Sequence, residues 1–392
     1  GELGGRRTLT RTDCPLPSRD ELLRVQLDTA RKWLADLDAP AYAFDYLDGD
    51  WKQLRSADLR RLHPGSVVVV AATAGGYSIT RGFDPKGKEP VPEVQHSIPG
   101  ASERASEAED DDSLSEAQWK SIAVHGREAA EEVAQIAQTL GLAERVSQLL
   151  QLAARWHDAG KAHFVFQGAI GKQARVTAGA VASGHDLAKA PREAWVRGAY
   201  AQAERPGFRH ELASTLALFE LLRRANPMHD ALLGPHRETL ALLGEQVGEG
   251  VREDAIDADS PLARELVALT AHEFDLVAWL ICTHHGKVRC AFAGTPKDAE
   301  EQPHEARVHG VCDGDALPPF PLAHGDAQES ALPPLELSLE LAGLGLGRLY
   351  GASWTERVEG LRARHGTYTL AYLEAVLRAA DANASRRAGA LV

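Results

Sequence analysis

The sequence predicts a mainly α fold: a helical bundle preceded by a small N-terminal α/β unit and broken by irregular insertions. Three observations point there. Apolar residues recur at helical spacing over 119–140, 144–158, 210–226, 262–285 and 367–387. Strand-like runs are few and short. An acidic, serine-rich stretch at 103–118, with Glu109, Asp110, Asp111 and Asp112 at its centre, reads as a solvated linker between the first hundred residues and the helical part.

Taken in order, the elements follow from local chemistry. Ser18 and Glu21 have the spacing of a capping box, ahead of Leu23, Leu27, Ala30, Leu34 and Leu37 on one helix face. The run Val67, Val68, Val69, Val70 lies between Pro64-Gly65 and Gly75-Gly76 and reads as a buried strand. Residues 1–102 are thus read as an accessory α/β domain, 103–118 as linker and 119–392 as the main helical domain. Insertions at about 227–260 and 291–350 are expected to be irregular. Within the second, Leu335, Leu337, Leu339 and Leu341 alternate with Glu336, Ser338 and Glu340, the period of a half-exposed strand.

Composition narrows the function. At 392 residues, 44% hydrophobic and 25% charged, the chain can bury a sizeable core. No apolar stretch approaches the roughly 20 residues that cross a bilayer, and the N-terminus lacks a signal-peptide pattern. Cys14, Cys282, Cys290 and Cys312 show no Cys-x-x-Cys spacing, and Cys282 reads as a small buried apolar residue. A cytoplasmic protein without a membrane partner is expected. The chain opens on Gly1, its single methionine is Met228, and it is read as a processed chain or an excised domain. The formal charge of −13 disfavours a broad nucleic-acid-binding surface, but much of the acid sits in the linker. Between 172 and 209 the balance reverses, with Lys172, Arg175, Lys189, Arg192, Arg197, Arg205 and Arg209; this stretch is either a solvated loop or a phosphate-contacting rim. No Gly-x-x-x-x-Gly-Lys-Ser/Thr loop occurs, so ATP-driven motor activity is not expected.

The chemistry lies at helix ends. His157-Asp158 closes a helix whose stripe is Val146, Leu149, Leu150, Ala153 and Trp156, with Gly160 read as its stop. His284-His285 follows Leu276, Trp279 and Leu280, and Gly286 closes that helix. Asp381 ends the stripe Leu370, Leu373, Val376, Leu377 and Ala380, with Ser385 one turn further on the same face. His125 and His210 lie on two further helices. Imidazole and carboxylate donors suit divalent transition metals, and two such ions about 3.5–4 Å apart can clamp the attacking and leaving oxygens of a phosphoester. Successive helical residues point about 100° apart, so Asp158 could bridge two ions while His157 binds one. The other His-Asp pairs, His185-Asp186 and His229-Asp230, end no amphipathic helix and read as loop residues. His163, His236, His272, His304, His309, His324 and His365 are likewise read as surface or loop histidines.

The ordered set resembles an HD-type phosphohydrolase, and within that group the HD nuclease domain of the type I CRISPR-associated helicase-nuclease. The resemblance rests on His157-Asp158-Ala159-Gly160-Lys161-Ala162-His163 followed by Phe166-Gln167, on His284-His285-Gly286, and on Ala380-Asp381 with Ser385. It covers roughly 115–390. Ser353-Trp354, the segment 362–385 and the first hundred residues look like the subtype, type I-G (formerly I-U), in which the HD domain follows the helicase. The resemblance implies an HD-domain helical bundle, two divalent metal ions (Mn, Ni, Co, Fe or Mg), and cleavage of single-stranded DNA exposed by the type I CRISPR surveillance complex. It also implies a helicase domain upstream in the full-length protein. One ion would take His125, His157, Asp158 and Asp381; the other would share Asp158 and take His210, His284 and His285. Lys161 matches a lysine near the scissile phosphate and Ser385 a site-lining serine, so Asp158, Lys161 and Ser385 are the expected catalytic residues. Ala382 and Asn383 stand where that family often carries bulkier residues. Removing the bridging carboxylate, as in Asp158→Ala, is expected to abolish cleavage and leave the fold largely intact. Two other classes fit the same ligands: an HD phosphohydrolase acting on nucleotides in a closed pocket, and a non-catalytic metal-containing docking module.

Overall fold

A computed structural model describes Cys14, Pro17 and residues 22–91 and 118–387, apart from 24, 46–49, 64, 79–80, 173–185, 197–198, 206, 243–254, 287–289, 293–305 and 326–327. The chain divides into two units, Gly1–Glu109 and Asp110–Val392. Among the described residues helices predominate and every sheet is small. No single described helix is long and apolar enough to cross a membrane.

The first unit holds helix α1 (Leu27–Ala35) and an antiparallel sheet of β1 (Ala41–Asp45), β2 (Asp50–Gln53) and β3 (Val68–Val70) in the order β2-β1-β3. Tyr42, Phe44 and Trp51 form its apolar centre; the Phe44 and Trp51 rings meet edge-to-face at 5.2 Å, and Trp51 Nε1 donates to the Cys14 carbonyl at 2.6 Å. The strands β4 (Tyr77–Ser78) and β5 (Gly82–Phe83) make a hairpin. Two expectations change here. The helix begins after Gln26, which makes no side-chain cap, and leaves Leu23 outside it and exposed; Ser18 and Glu21 lie outside the described residues. The valine run is a strand, but an edge strand, and its residues are only half-buried.

The second unit carries the helices α2 (Ile122–Leu140), α3 (Glu144–Trp156), α4 (Phe164–Gly168), α5 (Ala199–Gln202), α6 (His210–Ala225), α7 (Arg237–Leu242), α8 (Pro261–Val267), α9 (Ala271–Thr283) and α10 (Trp354–Arg386). Helix α6 is central: every side chain from its first residue through Arg223 is buried. Leu212, Leu216, Phe219 and Leu222 on it belong to one continuous core with Leu150 and Trp156 of α3, Val277 and Leu280 of α9, and Leu377 of α10. Each such side chain taken out of water contributes about 1.5–3 kcal/mol, which makes this core the main force that brings the helix ends together. Helix α2 starts at a cap, where Ser121 Oγ accepts from Val124 N at 3.1 Å. Just before it, β6 (Lys120–Ser121) pairs with β7 (Leu187–Lys189), with Lys120 opposite Lys189.

Helix boundaries differ from expectation in three places: the helix expected from 119 begins at Ile122, after the strand Lys120–Ser121, and two others change more. The stretch 262–285 is two helices, α8 and α9, bent by 118° at their break. Thr270 and Glu273 form a capping box there: Thr270 N donates to the Glu273 carboxylate at 2.9 Å, and Glu273 N to Thr270 Oγ1 at 3.4 Å. The apolar pattern runs through the break and hides it. The last helix begins earlier than expected, capped by Ser353, and breaks at Gly366, whose φ of 74° is not helical.

The insertion at 291–350 is more regular than expected. Its described part folds into three antiparallel pairs: β8 (Arg307–Val308) with β9 (Val311–Cys312), β10 (Ala316–Leu317) with β13 (Leu335–Glu336), and β11 (Phe320–His324) with β12 (Gln328–Leu332). Leu335, Leu337, Leu339 and Leu341 are all buried, but the strand stops at Glu336. Leu339 N donates instead to Asp313 Oδ1 at 2.7 Å, and a single 3₁₀ turn follows over Leu339–Ala342.

Candidate metal centre

Helix α3 ends at Trp156 with its stripe locked in the core, so the chain must turn at His157 and Asp158. Asp158 leaves the helical conformation, with φ −99° and ψ 4°, and a 3₁₀ turn, Ala159–Ala162, carries the chain away. Gly160 plays a different part from the expected helix stop, because its φ is not left-handed. A Cβ there would lie 2.1 Å from the His210 carbonyl oxygen and 2.5 Å from Ser214 N. Glycine is required because α6 rests directly on the turn. Ser214 fastens the contact: Gly160 N donates to its Oγ at 2.7 Å, and its hydroxyl donates to the His157 carbonyl at 2.7 Å. Gly160→Ala is therefore expected to cost about 3 kcal/mol or more and to separate His210 from Asp158. Denaturant unfolding checks the loss; a wild-type midpoint would remove the close-approach argument.

The remaining ligands arrive on other helix ends. Gly126 lets α2 approach α3 closely, since a Cβ there would lie 2.8 Å from the Arg155 carbonyl oxygen, and this brings His125 beside His157. Gly286, with φ 76°, stops α9 immediately after the histidine pair. Asp381 and Ser385 come from the far part of α10.

The structure brings all seven expected ligands together. His125 Nε2 is 2.9 Å from Asp381 Oδ1 and 3.6 Å from Asp158 Oδ2. His157 Nε2 is 3.5 Å from Asp158 Oδ2 and 3.7 Å from Asp381 Oδ1. On the opposite side, His210 Nε2 is 3.2 Å from Asp158 Oδ1 and 3.2 Å from His285 Nε2. Donor atoms of three overlapping groups lie within 4.8 Å of one another: His125, His157 and Asp381; His157, Asp158 and His284; and His210, His284 and His285. Asp158 stands between the outer two.

Burial makes this arrangement costly unless a cation completes it. His125, His157, Asp158 and His284 are at most 2% exposed. The His157 and His284 rings donate through Nδ1 to their own helices, to Ala154 O and Ile281 O at 2.6 Å each, which turns both Nε2 atoms inward. Those two Nε2 atoms have no hydrogen-bond partner among the described residues, and the Asp158 oxygens make ion-pair contacts with Lys161 and His210 but no well-aligned hydrogen bond. Imidazole and carboxylate donors facing one another are the donor set that a divalent cation satisfies, so these residues could hold a metal ion.

The electrostatics agree. Burial drives His284 down to about 3, with the neighbouring His157 and His210 adding to the effect. His125 is driven down to about 4 by burial and by Lys189. Both are therefore neutral, the form that binds metal. Burial works to raise Asp158, but His157, Lys161 and Lys189 outweigh it and hold the carboxyl well below its usual range; Asp381 is held down against burial by Lys189 and the two histidines. His157 is raised, because the carboxylates outweigh its burial.

Lys161 is fully buried, with Nζ 3.0 Å from Asp158 Oδ2 and 3.3 Å from the Ala188 carbonyl, and it lies over the Phe166 ring. Ser385 donates to Asp381 Oδ1 at 3.3 Å. No family model matches the chain, and no curated protein or solved structure matches it either.

The site geometry contains residues that their local sequence does not reveal. Lys189, grouped above with a solvated loop or rim, is buried in β7 with Nζ 3.6 Å from Asp381 Oδ1. Its strand pairing with Lys120 is what carries it inward, and nothing in the local sequence signals that. Of its basic neighbours, Arg205 and Arg209 are half-buried beside Asp315 and Glu211, and Arg175 and Arg197 lie outside the described residues. Ser214, one helical turn after His210, could have been found by the same one-turn argument that found Ser385; Glu211, the residue after His210, could not. Two histidines read as surface or loop are buried. His163 faces Asp315 at 3.1 Å and stacks on Phe208, and His324 pairs with Ser330 at 2.8 Å. Of the decoy pairs, His229 sits buried in a loop with its ring on the Val267 carbonyl, and His185 lies outside the described residues.

Proposed function

We propose that the chain is a metal-dependent nuclease that hydrolyses phosphodiester bonds of single-stranded DNA in type I CRISPR interference. The reading is carried by one observation: two triads of donors, on either side of a single carboxylate, Asp158, that lies within 3.6 Å of a histidine of each. Two divalent ions held there would activate a water and neutralise the charge that builds on the phosphoryl oxygens.

The protein residues then have separate tasks. His125, His157 and Asp381 would hold one ion, and His210, His284 and His285 the other, with Asp158 shared. Lys161 and Lys189 keep Asp158 and Asp381 ionised, so both carboxylates remain ligands at neutral pH. Lys161, on the turn that bears Asp158, would place positive charge beside the scissile phosphate. Ser385 orients Asp381 through their hydrogen bond. Single-stranded DNA as the substrate, the surveillance complex as partner and an upstream helicase are supported by the motif resemblance around His157, His284 and Asp381.

The depth of the ligands favours a second reading, hydrolysis of a small nucleotide, since His125, His157 and Asp158 are almost fully enclosed. One assay separates the two. Chelated chain is reloaded with Mn, Ni, Co, Fe or Mg and offered single-stranded DNA, double-stranded DNA and mononucleotides. Cleavage of single-stranded DNA that disappears with chelator is expected. Turnover of mononucleotides alone would replace the nuclease reading, and inertness with every metal would leave a docking module.

A further inference from the structure

The second unit buries one carboxylate that none of these roles uses. Glu211, the second residue of α6, is fully enclosed, and neither of its oxygens has a hydrogen-bond partner among the described residues. Two basic side chains approach it: His210, with Nδ1 3.7 Å from Oε2, and Arg209, with Nη1 3.9 Å from Oε1. A buried carboxylate just outside hydrogen-bond reach of both costs stability, so its position calls for a ligand-dependent role.

The His210 ring indicates the role. Its Nε2 lies 3.2 Å from Asp158 Oδ1 and 3.2 Å from His285 Nε2, and a proton on His210 Nε2 would serve both acceptors. A cation taking that nitrogen requires the proton to leave it. The neutral ring then carries its proton on Nδ1, on the side of Glu211. His157 and His284 already show this arrangement, each donating its Nδ1 proton to a helix carbonyl and turning Nε2 inward. For His210, at the very start of its helix, the carboxylate of Glu211 stands on the Nδ1 side.

We propose that Glu211 is a positioning residue that accepts a hydrogen bond from Nδ1–H of His210 and thereby holds the tautomer whose Nε2 binds the ion shared with His284 and His285. The inference rests on the metal reading above and assigns it a carboxylate that the motif does not include.

The test is calorimetric titration of Mn²⁺ into metal-free wild type, Glu211→Ala and Glu211→Gln, together with denaturant unfolding of the metal-free chains. Wild type is expected to bind two ions. Glu211→Ala is expected to weaken one of them by about 10–100-fold and leave the other unchanged. Glu211→Gln, whose amide oxygen still accepts from Nδ1, is expected to recover most of that loss. The metal-free Glu211→Ala chain is expected to be as stable as wild type or more so, because an unsatisfied buried charge has gone. Equal affinity of wild type and Glu211→Ala for both ions overturns the proposal, and so does a metal-free variant that loses stability along with affinity. Failure of wild type to bind two ions overturns the metal reading itself and would be visible before any variant is compared.

Discussion

Replacing Asp158 with asparagine is expected to lower single-stranded DNA cleavage by about three orders of magnitude or more, the largest effect of any single change in the site. Asparagine keeps the shape of the side chain but removes the charge, and no other described carboxylate stands between the two triads. Asp158→Ala carries a second effect that the sequence alone did not show. Lys161 is fully buried with its ammonium 3.0 Å from the Asp158 carboxylate, so truncation strips a buried charge of its partner. Breaking such a pair costs about 3–5 kcal/mol, and the expectation that the alanine variant leaves the fold largely intact gives way to a destabilised metal-free chain. Asp158→Ala combined with Lys161→Met should regain most of that stability and none of the activity. Cleavage assays and denaturant unfolding on the three variants separate the roles. Metal-dependent cleavage retained by Asp158→Asn would refute the bridging carboxylate.

Acid is expected to remove several kcal/mol of stability from the metal-free chain between pH 6.5 and about 4. His125 titrates near 4 and His284 near 3 in the folded state, against 6.5 when unfolded. Across that window the unfolded chain takes up protons that the folded chain refuses, so stability falls as pH falls. Each pH unit between the folded and unfolded midpoints corresponds to about 1.4 kcal/mol, an upper figure for side chains so enclosed. Asp158 and Asp381, held well below their usual range, act in the same direction at lower pH. His157 opposes them: its raised value adds stability below 6.5 that is lost as pH rises through the folded-state value. Below 6.5 it is protonated in the folded and unfolded chain alike, so the fall across this window is set by the two lowered histidines. The check is denaturant unfolding at about pH 6.5 and about pH 4.5. Added divalent metal should raise the midpoint at the higher pH and do little at the lower, where protons compete for the same nitrogens. A stability that stays level between the two pH values would contradict the neutral, buried state of His125 and His284.

Much of this centre was legible because its chemistry is written at helix ends. The stripe Leu149, Leu150, Ala153 and Trp156 shows where α3 must stay in the core, and His157-Asp158 follows directly; the same holds for Asp381 after Leu377 and Ala380. The break before α9 was also written, as Thr270-x-x-Glu273, but a continuous apolar period masked it. The alternation at 335–341 correctly marked the buried leucines and misread their backbone, since burial at every second position does not require a ladder partner.

The amino-acid order alone determined the types of candidate donor, the helix that carries or precedes each of them and the mainly helical class, because a stripe and its neighbours are set by residues within a few turns of one another. Convergence lay beyond it. That His125 meets Asp381, that α6 rests on Gly160 closely enough to exclude a Cβ, and that β6 pairing draws Lys189 against Asp381 all depend on how distant segments pack. Burial and charge balance are properties of that packing, and for this reason Lys189 read as part of a solvated loop or phosphate-contacting rim, and Glu211 carried no signal, until the core closed around them.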